Sequence, residues 1–196
     1  YNPYAYNFDK IDNINSIIKT GTENIDNEVK TAGRIIAIRK MGKASFIHIH
    51  DDKDKIQIYL KNDLLSVNTY DNLVRNLDIG DIIGCAGNIF LTKTNELSIK
   101  AKEFVILSKN IRPLPNLKEK EGLHFNSFDD KELRYRHRQL DLIANPEIRK
   151  IFIKRAKIIT LFRKYLDNNS FLEVETPILQ PVYGGASARP FETYHN

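Results

Sequence analysis

The stretch Ala44-Ser45-Phe46-Ile47-His48-Ile49-His50-Asp51, followed by Lys55-Ile56-Gln57-Ile58-Tyr59-Leu60, decides the fold of the surrounding chain. Side chains on a strand point alternately to opposite faces, and in both segments isoleucine or leucine recurs at every second position. We therefore predict two strands whose aliphatic side chains face a core. The opposite face then carries Phe46, His48, His50, Gln57 and Tyr59, a mixture that can stack on bases and bond their edges.

Three further β-rich segments flank this pair, at Val29 to Lys40, Ile82 to Thr92 and Glu96 to Leu107. Between the third and fourth strands, Val67, Tyr70, Val74 and Leu77 recur at helical spacing. Five strands with a helix after the third is the order of an OB-fold, whose second and third strands form a platform for single-stranded nucleic acid. The alternative is that Phe46 and Tyr59 simply cover one side of the barrel beneath the linker.

Segments on either side of the barrel set the predicted domain boundaries. Ile11, Ile14, Ile17 and Ile18 predict a helix within Asn2 to Thr20 that Gly21 ends, so residues 1–27 form a helical adapter before the barrel at 28–110. Arg112-Pro113-Leu114-Pro115 is typical of a stiff linker, and the polar residues 118–130 of a loop. Residues 111–130 are therefore a predicted linker, and residues 131–196 the start of a second domain.

Composition narrows the class of protein. The 196 residues carry a net charge of +5 and a pI near 9.1, which suits a polyanionic partner but is common among soluble proteins. The single cysteine excludes an internal disulfide and a Cys-x-x-Cys zinc site, and His48-x-His50-Asp51-Asp52 lacks a third ligand group for a metal. No apolar run approaches membrane-spanning length, so we expect a cytoplasmic protein without a membrane partner. Without an initial methionine, and ending just past a glycine pair, the sequence is expected to be a fragment.

The last third of the chain predicts helices, a strand and a small-molecule site. Asp130 to Ala144 is an arginine-rich predicted helix, and Asn145-Pro146 starts a long amphipathic helix with a capping side chain and a proline in its first turn. Phe171 to Thr176 alternates apolar and acidic residues like a strand, with Leu172 and Val174 on one side, and Pro177 ends it. The pair Gly184-Gly185 permits close approach of backbone to a ligand, and Arg189 supplies a fork for carboxylate or phosphate.

These segments resemble a known family. Phe171 to Pro177 resembles motif 1 of the class II aminoacyl-tRNA synthetases, although Ser170 stands where that motif commonly has glycine. Gly184 to Phe191 with Tyr194-His195-Asn196 resembles the segment that follows motif 1 in lysyl-tRNA synthetases, and Arg39 to Phe46 and Thr92 to Ser98 resemble their anticodon-binding segments. The implied architecture is α+β: a five-stranded OB-fold barrel followed by the start of the antiparallel class II catalytic domain.

The resemblance also implies residue roles. The family's anticodon-contacting arginine, stacking phenylalanine, base-reading glutamine and turn glutamate fall on Arg39, Phe46, Gln57 and Glu96. We expect Gly184, Gly185, Ala186 and Arg189 to bind lysine. The motif 1 helix and strand build a homodimer interface in class II synthetases, which suggests Ile159, Phe162 and Pro177 for that role.

The implied function is the ATP- and Mg²⁺-dependent activation of lysine and its attachment to tRNA(Lys), with the barrel reading a uracil-rich anticodon. Neither motif 2 nor motif 3 is present, so catalytic, ATP-binding and magnesium-binding residues are expected outside these residues, and the chain alone should be inactive. Two kinds of alternative stay open. One is an aspartyl- or asparaginyl-type synthetase; the other is a non-catalytic protein, either an OB-fold single-strand nucleic-acid-binding protein or an inactive synthetase paralogue.

Overall fold

The computed structural model describes residues 7–51, 54–65, 70–71, 74–115, 117–120, 123–126, 128, 130–178, 189 and 191–194. The chain forms two units, Tyr1–Asp129 and Asp130–Asn196, and each is described by itself.

Five strands of the first unit close into a barrel: β1 (Glu28–Met41), β2 (Ala44–His50), β3 (Lys55–Lys61), β4 (Ile82–Leu91) and β5 (Leu97–Ser108). Their order around the barrel is β1-β2-β3-β5-β4, and all neighbours are antiparallel except β3 and β5. The predicted OB-fold is confirmed, with strand ends within a residue or two of the predicted ones.

The period-two pattern of the strands produces the core. Ile47 and Ile49 from β2 and Ile58 from β3 are fully buried, and they pack with isoleucines of the other strands such as Ile83 and Ile99. Burying a side chain of this size contributes about 1.5 to 3 kcal/mol, so the aliphatic face of each strand fixes which face is left to the surface.

A shift in register bends the sheet where β4 meets β5. The shift falls between Ala86 and Gly87, and a Cβ on Gly87 would lie 2.1 Å from the carbonyl oxygen of Lys100. Only glycine permits this approach, which tightens the barrel at the bulge.

The N-terminal helix is shorter than predicted. Helix α1 spans Ile14–Thr20, and residues 7–13 are not helical. The backbone N–H groups of Ile11 and Asp12 donate to the carbonyl oxygen of Lys30, and the carboxylate of Asp12 accepts from the N–H of Lys30. This pairing with β1 competes with the helix and delays its start, whereas the predicted end at Gly21 is confirmed.

The predicted helix between β3 and β4 is seen at Tyr70, Asp71, Val74 and Arg75, while Val67 lies outside the described residues. Tyr70 and Val74 are buried against the barrel, together with Leu77 just after the helix. The hydroxyl groups of Tyr70 and Ser45 are hydrogen-bonded at 2.9 Å, which ties the helical segment to β2.

The prediction of a loop after the linker was wrong. Strands β6 (Leu117–Lys120) and β7 (Leu123–Asn126) pair antiparallel as a two-stranded hairpin within the segment 118–130. Three charged residues follow Leu117, so no apolar alternation marks β6 in the sequence. In β7, Leu123 and Phe125 do alternate with polar residues, but the charge of the whole segment indicated a loop. A two-residue connection is also the commonest length for a hairpin.

In the second unit, the single helix predicted for Asp130 to Ala144 is divided in two. Helix α2 spans Lys131–Arg136 and helix α3 spans Arg138–Ala144, with a break at His137, where φ is −115° and ψ is 57°. Arg134 and Arg138, one on each helix, both donate to the carboxylate of the fully buried Asp141. The bend allows both arginines to reach this one acceptor.

Helix α4 spans Pro146–Asn168 and starts at proline as predicted. The side chain of Asn145 does not cap it; its Nδ2 donates instead to Oδ1 of Asp141, 2.7 Å away. Burial acts to raise the pKa of Asp141, but the hydrogen bonds from Asn145 and Arg134 and the charges of both arginines outweigh it and lower that pKa.

The helix ends in a Schellman motif. The N–H of Phe171 donates to the carbonyl of Leu166, the N–H of Ser170 donates to that of Asp167, and Ser170 has a φ of 65°. Position 170 therefore requires the left-handed conformation, which glycine adopts freely. This requirement accounts for the glycine that motif 1 commonly has at this position.

Residues 171–177 do not form the predicted strand. Their alternation is present, but a strand is stable only when its backbone groups pair with another strand, and no described residue of the second unit supplies one.

Candidate nucleic-acid interface

Three aromatic rings lie together on the outer face of the barrel. Phe46 on β2 is opposite Tyr59 on β3, with ring centroids 5.0 Å apart and planes inclined by 41°. Tyr59 also contacts Phe90 on β4 at 5.8 Å, reaching across β5. We call Phe46, Tyr59 and Phe90 the aromatic cluster. All three are half-buried, so they keep ring surface on which bases can stack.

Phe90 was missed by the sequence analysis. It follows the buried Ile89, so the alternation along β4 does place it on the outer face. What the sequence did not reveal is that β4 lies one strand beyond β5 on this side of the barrel, close enough for the two rings to meet.

A row of polar side chains borders the aromatic cluster. The amide nitrogen of Gln57 donates to Oε2 of Glu96 at 2.9 Å, and the hydroxyl of Ser98 donates to Oε1 of Gln57 at the same distance. Nε2 of His48 lies 2.9 Å from Oε1 of Glu96. We call these four residues the polar network; it joins β2, β3, β5 and the turn between β4 and β5.

Gln57 is on the predicted face but is only 6% exposed. Both ends of its amide are hydrogen-bonded within the protein, to Glu96 and Ser98. The amide nitrogen also lies 3.5 Å from Nε2 of His48. An amide nitrogen carries two hydrogens and an amide oxygen two lone pairs, so each end can form one more short hydrogen bond.

The turn that carries Glu96 is held by Thr92. The N–H of Glu96 donates to the hydroxyl of Thr92, and the N–H of Thr92 donates to the carbonyl of Glu96, both at 3.0 Å. Asn95 completes the turn with a φ of 58°. The backbone on both sides of Glu96 is thereby fixed.

Positive charge is present at the same edge. Arg39 on β1 pairs in register with Phe46 and is exposed, and Lys100 on β5 pairs with Tyr59 and is also exposed. Such cations can neutralise phosphates without carrying sequence information. The structure thus brings Arg39, Phe46, Gln57 and Glu96, four predicted residues from four parts of the chain, to one face.

Of the four predicted lysine-binding residues, the structure describes only Arg189. Gly184, Gly185 and Ala186 lie outside the described residues, and Arg189 is exposed and belongs to no helix or strand. Among the described residues no group of three or more His, Cys, Asp or Glu side chains could hold a metal ion. No helix in the described ranges is both long and apolar enough to cross a membrane.

The residues predicted for a dimer interface lie on an exposed apolar surface of the second unit. Ile159 is 43% exposed and Phe162 66%, and Pro177 is exposed. A groove runs between the last turns of α4 and the segment Phe171 to Glu173, where Arg163 donates to Glu173 at 2.9 Å.

Comparison with known proteins assigns both parts of the chain. Residues 29–107 match the family described as OB-fold nucleic acid binding domain, and residues 130–196 match tRNA synthetases class II (D, K and N). A lysine--tRNA ligase of Fusobacterium nucleatum is 48% identical over 194 residues, and one of Carboxydothermus hydrogenoformans is 46% identical over 194 residues; each alignment covers 99% of this chain. One of Histophilus somni is 52% identical over 169 residues, covering 86% of this chain and 32% of that protein. The chain spans 38% of the length of the first two relatives.

Proposed function

Because the chain belongs to the lysine--tRNA ligase family of class II synthetases, we propose that its barrel reads the anticodon of tRNA(Lys) in a protein that attaches lysine to that tRNA. The observation that carries the proposal is that the aromatic cluster and the polar network lie on the same face of the barrel. Stacking surface beside fixed donors and acceptors is the combination by which single-stranded RNA is read.

The proposed base is a uracil at the centre of the anticodon. Its hydrogen-bonding edge has one N–H between two carbonyl oxygens, whereas cytosine has an unprotonated ring nitrogen at the same place. With the base stacked on Phe46, the carboxylate of Glu96 can accept from the N–H. The second amide hydrogen of Gln57 can donate to a carbonyl oxygen, while Arg39 lies near the phosphates.

The rest of the proposed reaction concerns lysine. We assign lysine binding to Gly184, Gly185, Ala186 and Arg189, because paired glycines admit close backbone approach and arginine binds a carboxylate with two parallel hydrogen bonds. ATP with Mg²⁺ would drive formation of lysyl-adenylate, and tRNA(Lys) would then accept the lysine, in the cytoplasm. No step in the proposal passes through Mg²⁺ bound by the described residues.

The proposed protein works as a homodimer. The exposed apolar surface of α4, including Ile159 and Phe162, and Pro177 beyond it would be covered by the same surface of a second copy. Apolar surface of this extent on one helix is typical of an interaction site.

The test is binding of this chain to anticodon stem-loops that differ only in the central base. A well-formed set of base contacts contributes about 1 to 3 kcal/mol of discrimination, so we expect the uracil loop to bind roughly tenfold more tightly than the cytosine loop. Fluorescence anisotropy at about 0.1 M salt keeps phosphate contacts from dominating the comparison. Equal affinity for both loops and for an unstructured RNA would refute anticodon reading and favour a sequence-independent single-strand-binding protein.

A further inference from the structure

His48 belongs to the polar network, but the proposed function gives it no role. It lies on β2, and its Nε2 is 2.9 Å from Oε1 of Glu96, a residue 48 positions further along the chain. The two side chains are partly accessible, His48 at 28% and Glu96 at 46%. They form the part of the network that a bound base would meet first.

The backbone of Glu96 is held in place, so only its side chain can change conformation. Thr92 holds the backbone N–H and carbonyl of Glu96, so the direction of the carboxylate depends on its side-chain torsions. Two partners determine those torsions, because His48 contacts Oε1 and Gln57 donates to Oε2. Without His48, one carboxylate oxygen would turn to solvent and the other would be held by a single bond.

The carboxylate in turn determines where the protons of its neighbours are. An ionised carboxylate only accepts hydrogen bonds, so the Gln57 atom facing Glu96 must be the NH₂ group and the amide oxygen must face Ser98. By the same argument, Nε2 of His48 carries a hydrogen. The amide nitrogen of Gln57 and Nε2 of His48 lie 3.5 Å apart, and with this tautomer both are donors to Glu96 and do not bond each other. The contact between His48 and Glu96 therefore fixes the donor and acceptor pattern of the whole network, not only the position of one side chain.

Resting on the proposed function, we propose that His48 is a specificity-determining positioning residue: it holds the Glu96 carboxylate, and through it the Gln57 amide, in the orientation that distinguishes uracil from cytosine. The base itself is stacked by Phe46 and bonded by Glu96 and Gln57. Because the network joins three strands and a turn, its donors and acceptors keep their orientation when a base binds. The carboxylate of a single exposed glutamate would instead rotate to suit either base.

Two substitutions distinguish the hydrogen bond donated by His48 from the space that its side chain fills. His48→Leu keeps an apolar side chain of similar size and removes the donor, whereas His48→Gln restores an N–H at the distance from the backbone where Nε2 stands. His50→Leu is the matched control, because it removes a histidine from the same face of β2 and leaves the two side chains that hold Glu96 in place.

The measurement is the ratio of affinities for the central-uracil and central-cytosine stem-loops. We expect His48→Leu to reduce a roughly tenfold preference to about threefold or less, with the affinity for the cytosine loop changed less than about twofold, and His48→Gln to restore the preference. His50→Leu should keep it. A His48→Leu variant that keeps the preference, or that loses affinity for both loops equally, overturns the proposal, as does a His48→Gln variant that fails to restore the preference.

Failure of the proposed function is a different result, since the unaltered chain would then show no preference at all. A second measurement does not depend on RNA or on a folded variant. Long-range ¹H–¹⁵N correlation spectra of the unaltered chain, at a pH where the ring is neutral, should show the hydrogen of His48 on Nε2. The opposite tautomer, with the hydrogen on Nδ1, would contradict the geometry and overturn the proposal.

Discussion

Replacing Phe46 with alanine tests whether the aromatic cluster binds RNA or only covers the barrel. The ring of Phe46 is half-buried and its described ring contact is with Tyr59, at 5.0 Å. Tyr59 keeps Phe90 on its other side at 5.8 Å. Loss of the Phe46 ring therefore removes one neighbour of Tyr59 and leaves the barrel core beneath β2 intact.

The losses of stability and of binding have separate causes. A cross-strand aromatic pair contributes about 0.5 to 1.5 kcal/mol in addition to the area that it buries, so the free energy of unfolding should fall by at least this amount. Base stacking on an aromatic side chain contributes about 1 to 3 kcal/mol, so the dissociation constant for the central-uracil stem-loop should rise by roughly one to two orders of magnitude.

Phe90→Ala is the matched control, since it removes the other neighbour of Tyr59 from the same cluster. Its effect on the free energy of unfolding should resemble that of Phe46→Ala, but its effect on RNA binding should be several-fold smaller. Urea unfolding measures the first quantity and fluorescence anisotropy the second. Equal losses of RNA affinity in the two variants would refute a specific stack on Phe46, as would a Phe46→Leu variant that binds as tightly as the unaltered chain.

Ser170→Gly should raise the free energy of unfolding of the second unit by roughly 0.5 to 1 kcal/mol in denaturant melts, because glycine relieves the left-handed strain at φ 65°; an unchanged or lower stability would contradict that reading. Asp141→Asn should lower the free energy of unfolding at neutral pH, and the difference from the unaltered chain should shrink in acid. A pKa lowered by folding gives stability that is present above the unfolded pKa, near 3.9, and is lost as the pH falls through the folded pKa. A difference that stays constant with pH would contradict this prediction. Ile159→Asp should dissociate the dimer of the protein that carries this chain in sedimentation, whereas Lys157→Asp should not; a monomer without any substitution would remove the dimer proposal. Gly185→Val in that protein should raise the lysine concentration needed for adenylate formation and leave anticodon binding unchanged, and unaltered lysine kinetics would exclude this loop from the site.

The strands could be predicted almost to the residue because their signal is local. In β3, and from Ile47 onward in β2, every second side chain is aliphatic, and burial of that face leaves one possible orientation. The outward position of Phe46 and Tyr59 followed from the same alternation. The helical period was equally informative for α4, where apolar residues recur over 23 residues.

The bonds of the polar network could not be predicted, because they join residues far apart in sequence. Gln57 meets Glu96 and Ser98 only because β3 pairs with β5 in parallel, with Gln57 opposite Ser98. Nothing in the alternation of β3 specifies that register. The start of α1 was predicted too early for a related reason. Ile11 and Asp12 are hydrogen-bonded to the backbone of Lys30, and Asp12 and Lys30 are 18 residues apart in sequence.

The burial of Gln57 changes how the face would distinguish bases. An exposed amide can rotate to offer either its donor or its acceptor, and would then accept uracil or cytosine with little preference. Gln57 cannot rotate without breaking its bonds to Glu96 and Ser98, both 2.9 Å long. A cytosine that required the reversed amide would place the amide oxygen of Gln57 against the carboxylate of Glu96. Two acceptors would then face each other, and the buried amide oxygen would lose its donor, at a cost of about 1 to 3 kcal/mol. Selectivity in the proposed site therefore comes from the network's resistance to reversal of the Gln57 amide, while affinity comes from stacking on the ring of Phe46.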